Sequence, residues 1–336
     1  MSRVIVLTGG STPERDVALA GAAQVVGALR DRGHEVAVAD TVEGVLDEGG
    51  ENRLLATAVR SEPPTPAELE RLAEREDLPS LLKASAFGRA DLVFLVLHGR
   101  QGEGGEVQTL LEMAGLRYTG SGPVGSALAM DKEVAKRLFR DGGIPTPDWA
   151  MLPATDAELA ALGLPLIVKP LAAGSTVGLS VVRALADLPA AIATAAEVDP
   201  EVMAERFLPG REFSVGVLGD RALGVGEIVP QHEIFDYECK YTPGMSQEIF
   251  PAAIPDGLTE RMRALALAAH RCLKLRDFSR VDFRLDEAGA PHVLEANTLP
   301  GMTRTSLMPQ SARVLGLDFA DLCEAIVRQA MSRPVH

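Results

Sequence analysis

Arg280-Val-Asp-Phe-Arg-Leu-Asp-Glu-Ala-Gly-Ala-Pro-His-Val-Leu-Glu-Ala-Asn-Thr-Leu-Pro-Gly-Met302 has a period of two, and that period predicts a β-hairpin. Val281, Phe283 and Leu285 fall on one face of the first strand, and Arg280, Asp282 and Arg284 on the other. The return strand puts Val293, Glu295 and Asn297 on one face, with Leu294 and Ala296 behind. The turn runs from Asp286 to Pro291, with Gly289 available for positive φ. A four-residue loop then sets Asp282 opposite Glu295 and Arg280 opposite Asn297. Like charges directly opposite on a sheet repel. This register therefore demands a cation between the carboxylates, or one carboxyl kept protonated. Asp, Glu and Asn offer hard oxygen ligands, which suit Mg²⁺ or Mn²⁺, and magnesium commonly completes its shell with phosphate oxygens and water. The hairpin points to a Mg-nucleotide site. The plainer alternative, a solvated polar face, is weakened by the apolar residues on either side and by the Pro300-Gly301 turn that follows at once.

At 336 residues the chain suggests two or three domains. A net charge of -14 argues against a nucleic-acid partner, which would leave a basic footprint. No apolar run approaches the ~18 residues of a membrane span, and the first ten residues are too strand-like for a signal peptide. Cys239, Cys272 and Cys323 are scattered and show neither zinc spacing nor a disulfide framework. A reducing cytoplasm is the expected compartment.

Upstream of the hairpin, Val4 to Leu7 is a buried strand ending in Gly9-Gly10-Ser11-Thr12-Pro13-Glu14. A helix follows, with Ala22, Val25, Val26 and Leu29 on one side, then a strand from Glu35 to Ala39. This β-α-β opening lacks G-x-G-x-x-G, which disfavours a nicotinamide site. Glu14 sits at the C-terminal edge of a strand, where open α/β sheets bind ligands, or else serves as a helix N-terminal acid. Residues 43–80 look like a peripheral excursion without a motif. Ala90 to Leu97 is a buried strand that delivers His98 to the same kind of edge, in a Gly-rich loop. Thr119-Gly-Ser-Gly-Pro123 marks a first boundary. One helix is expected from Ser126 through Lys132 to Gly142-Gly143. Leu166-Ile-Val-Lys169-Pro170 is a strand, and Gly174-Ser-Thr-Val-Gly178 is a loop able to wrap phosphate through backbone N–H groups. Leu208-Pro-Gly210 marks a second boundary. Phe235 to Gly244 is a long polar stretch with the character of a lid.

Taken in order, these blocks resemble the ATP-grasp enzymes, and specifically the D-alanine–D-alanine ligases. The resemblance rests on Gly9-Gly10…Glu14, His98-Gly-x-x-Gly-Glu103, Tyr118-Thr-Gly-Ser-Gly122…Met130-Asp-Lys132, Val168-Lys169-Pro170…Gly174-Ser-Thr-Val-Gly178, Phe235-Asp-Tyr-Glu-x-Lys-Tyr241, Arg280-x-Asp282-Phe283, and Leu294-Glu-Ala-Asn297-Thr-x-Pro-Gly301-Met-Thr…Ser306-Leu307. It implies a three-domain α/β fold: a Rossmann-like parallel sheet over 1–121, a central ATP-grasp domain over 122–207, and a C-terminal antiparallel-sheet domain over 208–336. ATP would lie between the last two. Lys132 and Lys169 would hold its phosphates, with Ser175 and Thr176 in the loop covering the γ-phosphate and Lys240 meeting it from the lid. Glu205 would accept from the adenine amino group and Glu212 would bind the ribose. Asp282, Glu295 and Asn297 would hold two Mg²⁺ or Mn²⁺ ions. Glu14, Ser175 and Tyr241 would close the first amino-acid subsite beside His98, while Ser306 and Leu307 would line the second. Arg280 and the Gly301 N–H would stabilise an oxyanion. The implied chemistry is ligation of two D-alanines through an acyl phosphate, for peptidoglycan synthesis, by a cytoplasmic homodimer with no membrane or nucleic-acid partner.

Several positions depart from the family pattern: Ala18 for a Ser, Gly104 for an Asp, Thr176 for a second Ser, Phe235 for a Tyr, and Cys239 in the lid. None removes an expected metal ligand or phosphate lysine. Gly104 and Ala18 bear on substrate choice. Two other readings stay open. One is a ligase of the same superfamily with another acceptor, such as D-lactate, D-serine or a secondary-metabolism amino acid. The other is a nucleotide-binding relative without catalysis, whose mark would be loss of Lys169, Arg280, Asp282, Glu295 or Asn297.

Overall fold

The computed structural model describes residues 1–334 apart from Thr57, Ser61 and Pro243, and the backbone but not the side chain of Tyr241. Three sheets organise it. The first contains β1 (Arg3–Thr8), β2 (Glu35–Asp40), β3 (Gly44–Val45) and β4 (Leu92–Leu95), in the order β3-β2-β1-β4. β1 runs parallel to β2 and β4, and the short β3 is antiparallel to β2. The unbroken apolar run Val4–Leu7 is buried because helices cover the sheet: helix Arg15–Asp31 packs Ala22, Val25, Val26 and Leu29 into the core. Leu322, Ile326 and Val327 of the last helix, Phe319–Ser332, join that same core, so the end of the chain is packed on its beginning.

The second sheet holds β5 (Trp149–Met151), β6 (Leu166–Pro170), β7 (Ser180–Val182) and β8 (Val202–Arg206), ordered β5-β8-β6-β7 with antiparallel neighbours. The third holds β9 (Glu212–Leu218), β10 (Arg221–Pro230), β11 (Ser246–Ile249), β12 (Phe278–Leu285) and β13 (Pro291–Asn297), ordered β11-β10-β9-β12-β13 and antiparallel throughout. Helix Asp256–Cys272 covers its back through Met262, Ala266 and Ala269. A parallel first sheet and two antiparallel sheets are what the sequence led us to expect. Among the described residues no helix is long and apolar enough to cross a membrane.

Three expectations change in detail. The helix expected from Ser126 to Gly142 is two helices, Pro123–Met130 and Lys132–Asp141. Asp131, at ψ 99°, breaks the first and caps the second by accepting from Val134 N at 2.9 Å. In the hairpin, Asp282 does oppose Glu295, but Leu285 pairs with Pro291 and Phe283 with Val293, so a bulge at Leu294 restores the register. The bulge also reverses two faces: Val293 is buried in the core with Phe283 and Ala296, while Leu294 lines the cavity with Glu295. Finally, residues 43–80 are not merely peripheral. Glu76 accepts from Ser11 Oγ, Thr41 Oγ1 and Gln101 Nε2 at 2.6–2.7 Å, Arg60 pairs with Asp16 at 2.7 Å, and Val59 lines a cavity described below.

Candidate active site

The paired strands β12 and β13 carry Arg280, Asp282, Glu295 and Asn297 to a common wall of two adjoining cavities. The balancing charge that opposed carboxylates require comes here from side chains. Arg280 grips Asp282 with Nε at 2.9 Å and an NH2 contact at 2.8 Å, and Lys132 Nζ lies 3.4 Å from Glu295. Burial alone would raise the Glu295 pKa. Lys132, Lys240, Lys169 and Arg280 outweigh that and hold it at about 2. Asp282 also accepts from Ser214 Oγ at 2.8 Å and Asn297 Nδ2 at 3.0 Å. A carboxylate has about four lone-pair sites, so a cation reaching Asp282 must share or displace one of these donors. The oxygen-only donor set of Asp282, Glu295 and Asn297 fits a hard divalent cation.

The first cavity lies between the second and third sheets. Ile167, Leu179 and Leu208 line it together with Glu205, which lies on β8. Glu205 is buried, and Lys169 Nζ donates to Glu205 Oε1 at 3.0 Å. Lys136 Nζ reaches the other oxygen at 2.6 Å. Burial would raise the Glu205 pKa, but these two lysines outweigh it and the carboxyl sits below its usual range. Nearby, burial pushes Glu212 up to about 7. Asp282 and Glu295 add to that, and Arg284, 3.8 Å away, opposes it.

The loop after β6 forms the lip between the two cavities. Ser175 and Thr176 have φ of 50° and 63°, a left-handed conformation that costs energy in non-glycine residues. Tertiary bonds offset that cost. Ser175 Oγ donates to Glu14 Oε1 at 2.5 Å, and Thr176 Oγ1 donates to Phe235 O at 2.8 Å and accepts from Lys240 Nζ at 3.1 Å. One loop thus joins the first β-α turn to the lid. The lid contains a short helix, Tyr237–Tyr241, capped by Asp236. Cys239, unexpected there, is buried with Phe235, Ile228 and Leu307 and ties this stretch to them.

The second cavity is lined by Glu14, His98, Gly301, Ser306 and Leu307. His98 is buried, which lowers its pKa and favours the neutral ring. Its Nδ1 pairs with the Leu299 carbonyl at 3.0 Å, so Nδ1 carries the proton and Nε2 is an acceptor, with no hydrogen-bond partner among the described residues. Glu103 holds the loop beneath: it accepts from Thr298 N at 3.1 Å, Leu299 N at 2.9 Å and Gly99 N at 3.3 Å. Burial, then Glu14, raises its pKa to about 7. Ser306 Oγ accepts from Thr303 N at 3.1 Å, and a Cβ at Gly301 would lie 3.0 Å from that oxygen. Gly104 follows from local crowding, since a Cβ would lie 2.4 Å from Arg100 O. Ala18 is fully buried.

Every expected site residue except Tyr241, whose side chain lies outside the described ones, borders one of the two cavities. Sequence reading missed Lys136, although its spacing gives it away: Lys132, Ala135, Lys136 and Phe139 form the buried stripe of one helix. It also missed Glu248, which lines the second cavity from the edge strand β11 and offers no motif.

Two family models match the chain: D-ala D-ala ligase N-terminus over residues 3–121 and D-ala D-ala ligase C-terminus over residues 138–328. Relatives named D-alanine–D-alanine ligase include one from Anaeromyxobacter sp. (strain Fw109-5), 41% identical over 97% of this chain and 96% of the relative. Another, from Geobacter sulfurreducens, is 39% identical over 98% and 94%. Among solved structures, the D-alanine–D-alanine ligase from Bacillus anthracis complexed with ATP superposes with a TM-score of 0.78 at 29% identity, covering 98% of both chains. That from Coxiella burnetii gives 0.81 at 26%, covering 99% of this chain and 94% of the other.

Proposed function

Because the chain belongs to the D-alanine–D-alanine ligase family, we propose that it joins two molecules of D-alanine with ATP as co-substrate, releasing ADP and phosphate. It is an ADP-forming ligase, and its dipeptide product is a precursor for peptidoglycan. The observation that carries this reading is the adjacency of the two cavities. One gathers Lys132, Lys169, Lys240, Glu205 and the strained Ser175-Thr176 loop; the other gathers Glu14, His98 and Ser306. Arg280 and Glu295 line both.

A carboxylate is a poor electrophile at neutral pH. Transfer of the γ-phosphoryl group to the first D-alanine gives an acyl phosphate with a good leaving group. Lys132, Lys169 and Lys240 would neutralise the phosphates, and Glu205 and Glu212 would take the adenine amino group and the ribose. Asp282, Glu295 and Asn297 would hold Mg²⁺ or Mn²⁺, two ions per site, which would supply charge neutralisation at the phosphates. Glu14, Ser175 and Tyr241 would fix the first amino acid. Ser306 and Leu307 would place the second, whose deprotonated amine attacks the acyl carbon. His98 Nε2, held as an acceptor, suits a hydrogen bond from an ammonium or amine. Arg280 and the Gly301 N–H would bind the tetrahedral oxyanion. The lid would exclude water, which otherwise hydrolyses the acyl phosphate. The modules 1–121, 122–207 and 208–336 would divide this labour, in a cytoplasmic homodimer.

The test is release of ADP with ATP, Mg²⁺ and a panel of D-amino and D-hydroxy acids, with product mass measured. D-alanine alone should give D-alanyl-D-alanine. A product formed only when D-serine or D-lactate is added would replace the acceptor. Glu248 also lines the second cavity, and burial raises its pKa.

A further inference from the structure

Glu205 has two cationic partners where one would balance its charge. Lys169 belongs to the cavity: it lies on β6, lines that cavity, and among the described residues its ammonium donates a hydrogen bond only to Glu205. Lys136 does not border either cavity. It is 0% exposed, on helix Lys132–Asp141, and its ammonium is fixed by Thr146 Oγ1 at 2.8 Å, Pro147 O at 3.0 Å and Glu205 Oε2 at 2.6 Å, with the Trp149 ring 5.2 Å away. Trp149 pairs with Glu205 across β5 and β8, so this cluster is built into the sheet.

We propose that Lys136 is a positioning residue for the nucleotide: it is the permanent counter-ion of Glu205, and it lets Lys169 leave Glu205 for the phosphates of a nucleoside triphosphate. The proposal rests on the reading of the first cavity as the ATP site. A buried carboxylate that loses its only cation is strongly penalised, because its desolvation is no longer offset. With Lys136 in place, Lys169 moves while Glu205 stays charged in the cavity wall, as an acceptor for a base N–H. With Lys136 gone, Lys169 is pinned to Glu205 or Glu205 takes up a proton. Either way the nucleotide loses one of its anchors. Burial draws the Lys136 pKa down to about 8, but Glu205 works against that, and the ammonium remains the main form at neutral pH.

The experiment measures ATP binding by calorimetry with Mg²⁺ and without D-alanine, so that a failed ligase assay leaves it standing. Four proteins are compared: wild type, Lys136→Met, Lys169→Met and the double variant, each checked for fold by near-UV circular dichroism and thermal unfolding. Lys136→Met should weaken ATP at least about tenfold. The double variant should bind within about threefold of the weaker single variant, because both substitutions disable the same transfer of Lys169. ATP affinity unchanged in Lys136→Met, or losses that simply multiply in the double variant, would overturn the proposal. If Lys136→Met does not fold, Thr146→Val loosens the same ammonium. It should weaken ATP about threefold and shrink the effect of Lys169→Met; an unshrunk effect overturns the proposal equally.

Discussion

Ser175→Ala tests how the site is closed. Ser175 is buried, its backbone is held at φ 50°, and its hydroxyl donates at 2.5 Å to a carboxylate of the first β-α turn. Alanine keeps the volume of the site and removes this hydrogen bond. A bond to a charged acceptor contributes about 1.5–3 kcal/mol. Glu14 borders an open cavity, so water regains part of that loss, and about 2 kcal/mol is the expected net. At 1.4 kcal/mol per decade this is roughly 30-fold in the population of the loop docked on Glu14. If the docked loop is what closes the first amino-acid subsite, kcat/KM for D-alanine falls by about the same factor. ADP release at saturating ATP, with D-alanine varied, reads it directly. Glu14→Ala removes the same bond from the other side, so the double variant should cost little more than the worse single one. A Ser175→Ala enzyme within threefold of wild type, or losses that multiply, would show that the bond does not govern closure.

Glu295→Gln keeps the shape of the side chain and removes the charge that faces Lys132. It should cut D-alanine-dependent ADP release at least about 10²-fold in protein that circular dichroism shows to be folded, and an active variant would remove Glu295 from the metal set. Glu103 gives a pH signature. Its folded pKa of about 7 lies above the ordinary carboxylate value, so the folded state holds a proton that the unfolded state has lost. That contribution to stability is lost as pH rises from about 4.5 to 7. Glu103→Gln removes this dependence, and the variant's Tm relative to wild type should climb between pH 5 and pH 8; a constant difference would contradict the shift. Gly226→Ala would place a Cβ 2.0 Å from the Phe250 ring beside the site and should destabilise the fold by about 1–3 kcal/mol in chemical denaturation; full stability would show that the ring can move aside.

The hairpin was legible because alternation on β12 and β13 and the Asp282–Glu295 pairing both follow from a period of two. The bulge at Leu294 was not, since one unpaired residue leaves the pattern intact on either side and only core packing decides which face Val293 takes. The break at Asp131 was similarly hidden: Asp sits tolerably inside a helix pattern, and its role as a cap depends on the backbone turning there. Partners that sit far apart in sequence were out of reach altogether. Nothing near Lys169 says that it rests on Glu205, and nothing in residues 43–80 says that Val59 reaches the second cavity. The counter-charges were legible only in part. Pairing two acids suggested a metal, and nothing in the spacing says that Arg280 and Lys132 also stand beside them.

The most direct measurement is mass spectrometry of a reaction containing the protein, ATP, Mg²⁺ and D-alanine, run beside a count of the ADP formed. The account predicts D-alanyl-D-alanine and ADP in equal amounts, and neither when D-alanine is left out. ADP that accumulates without D-alanine, or D-alanine consumed without dipeptide, would contradict it.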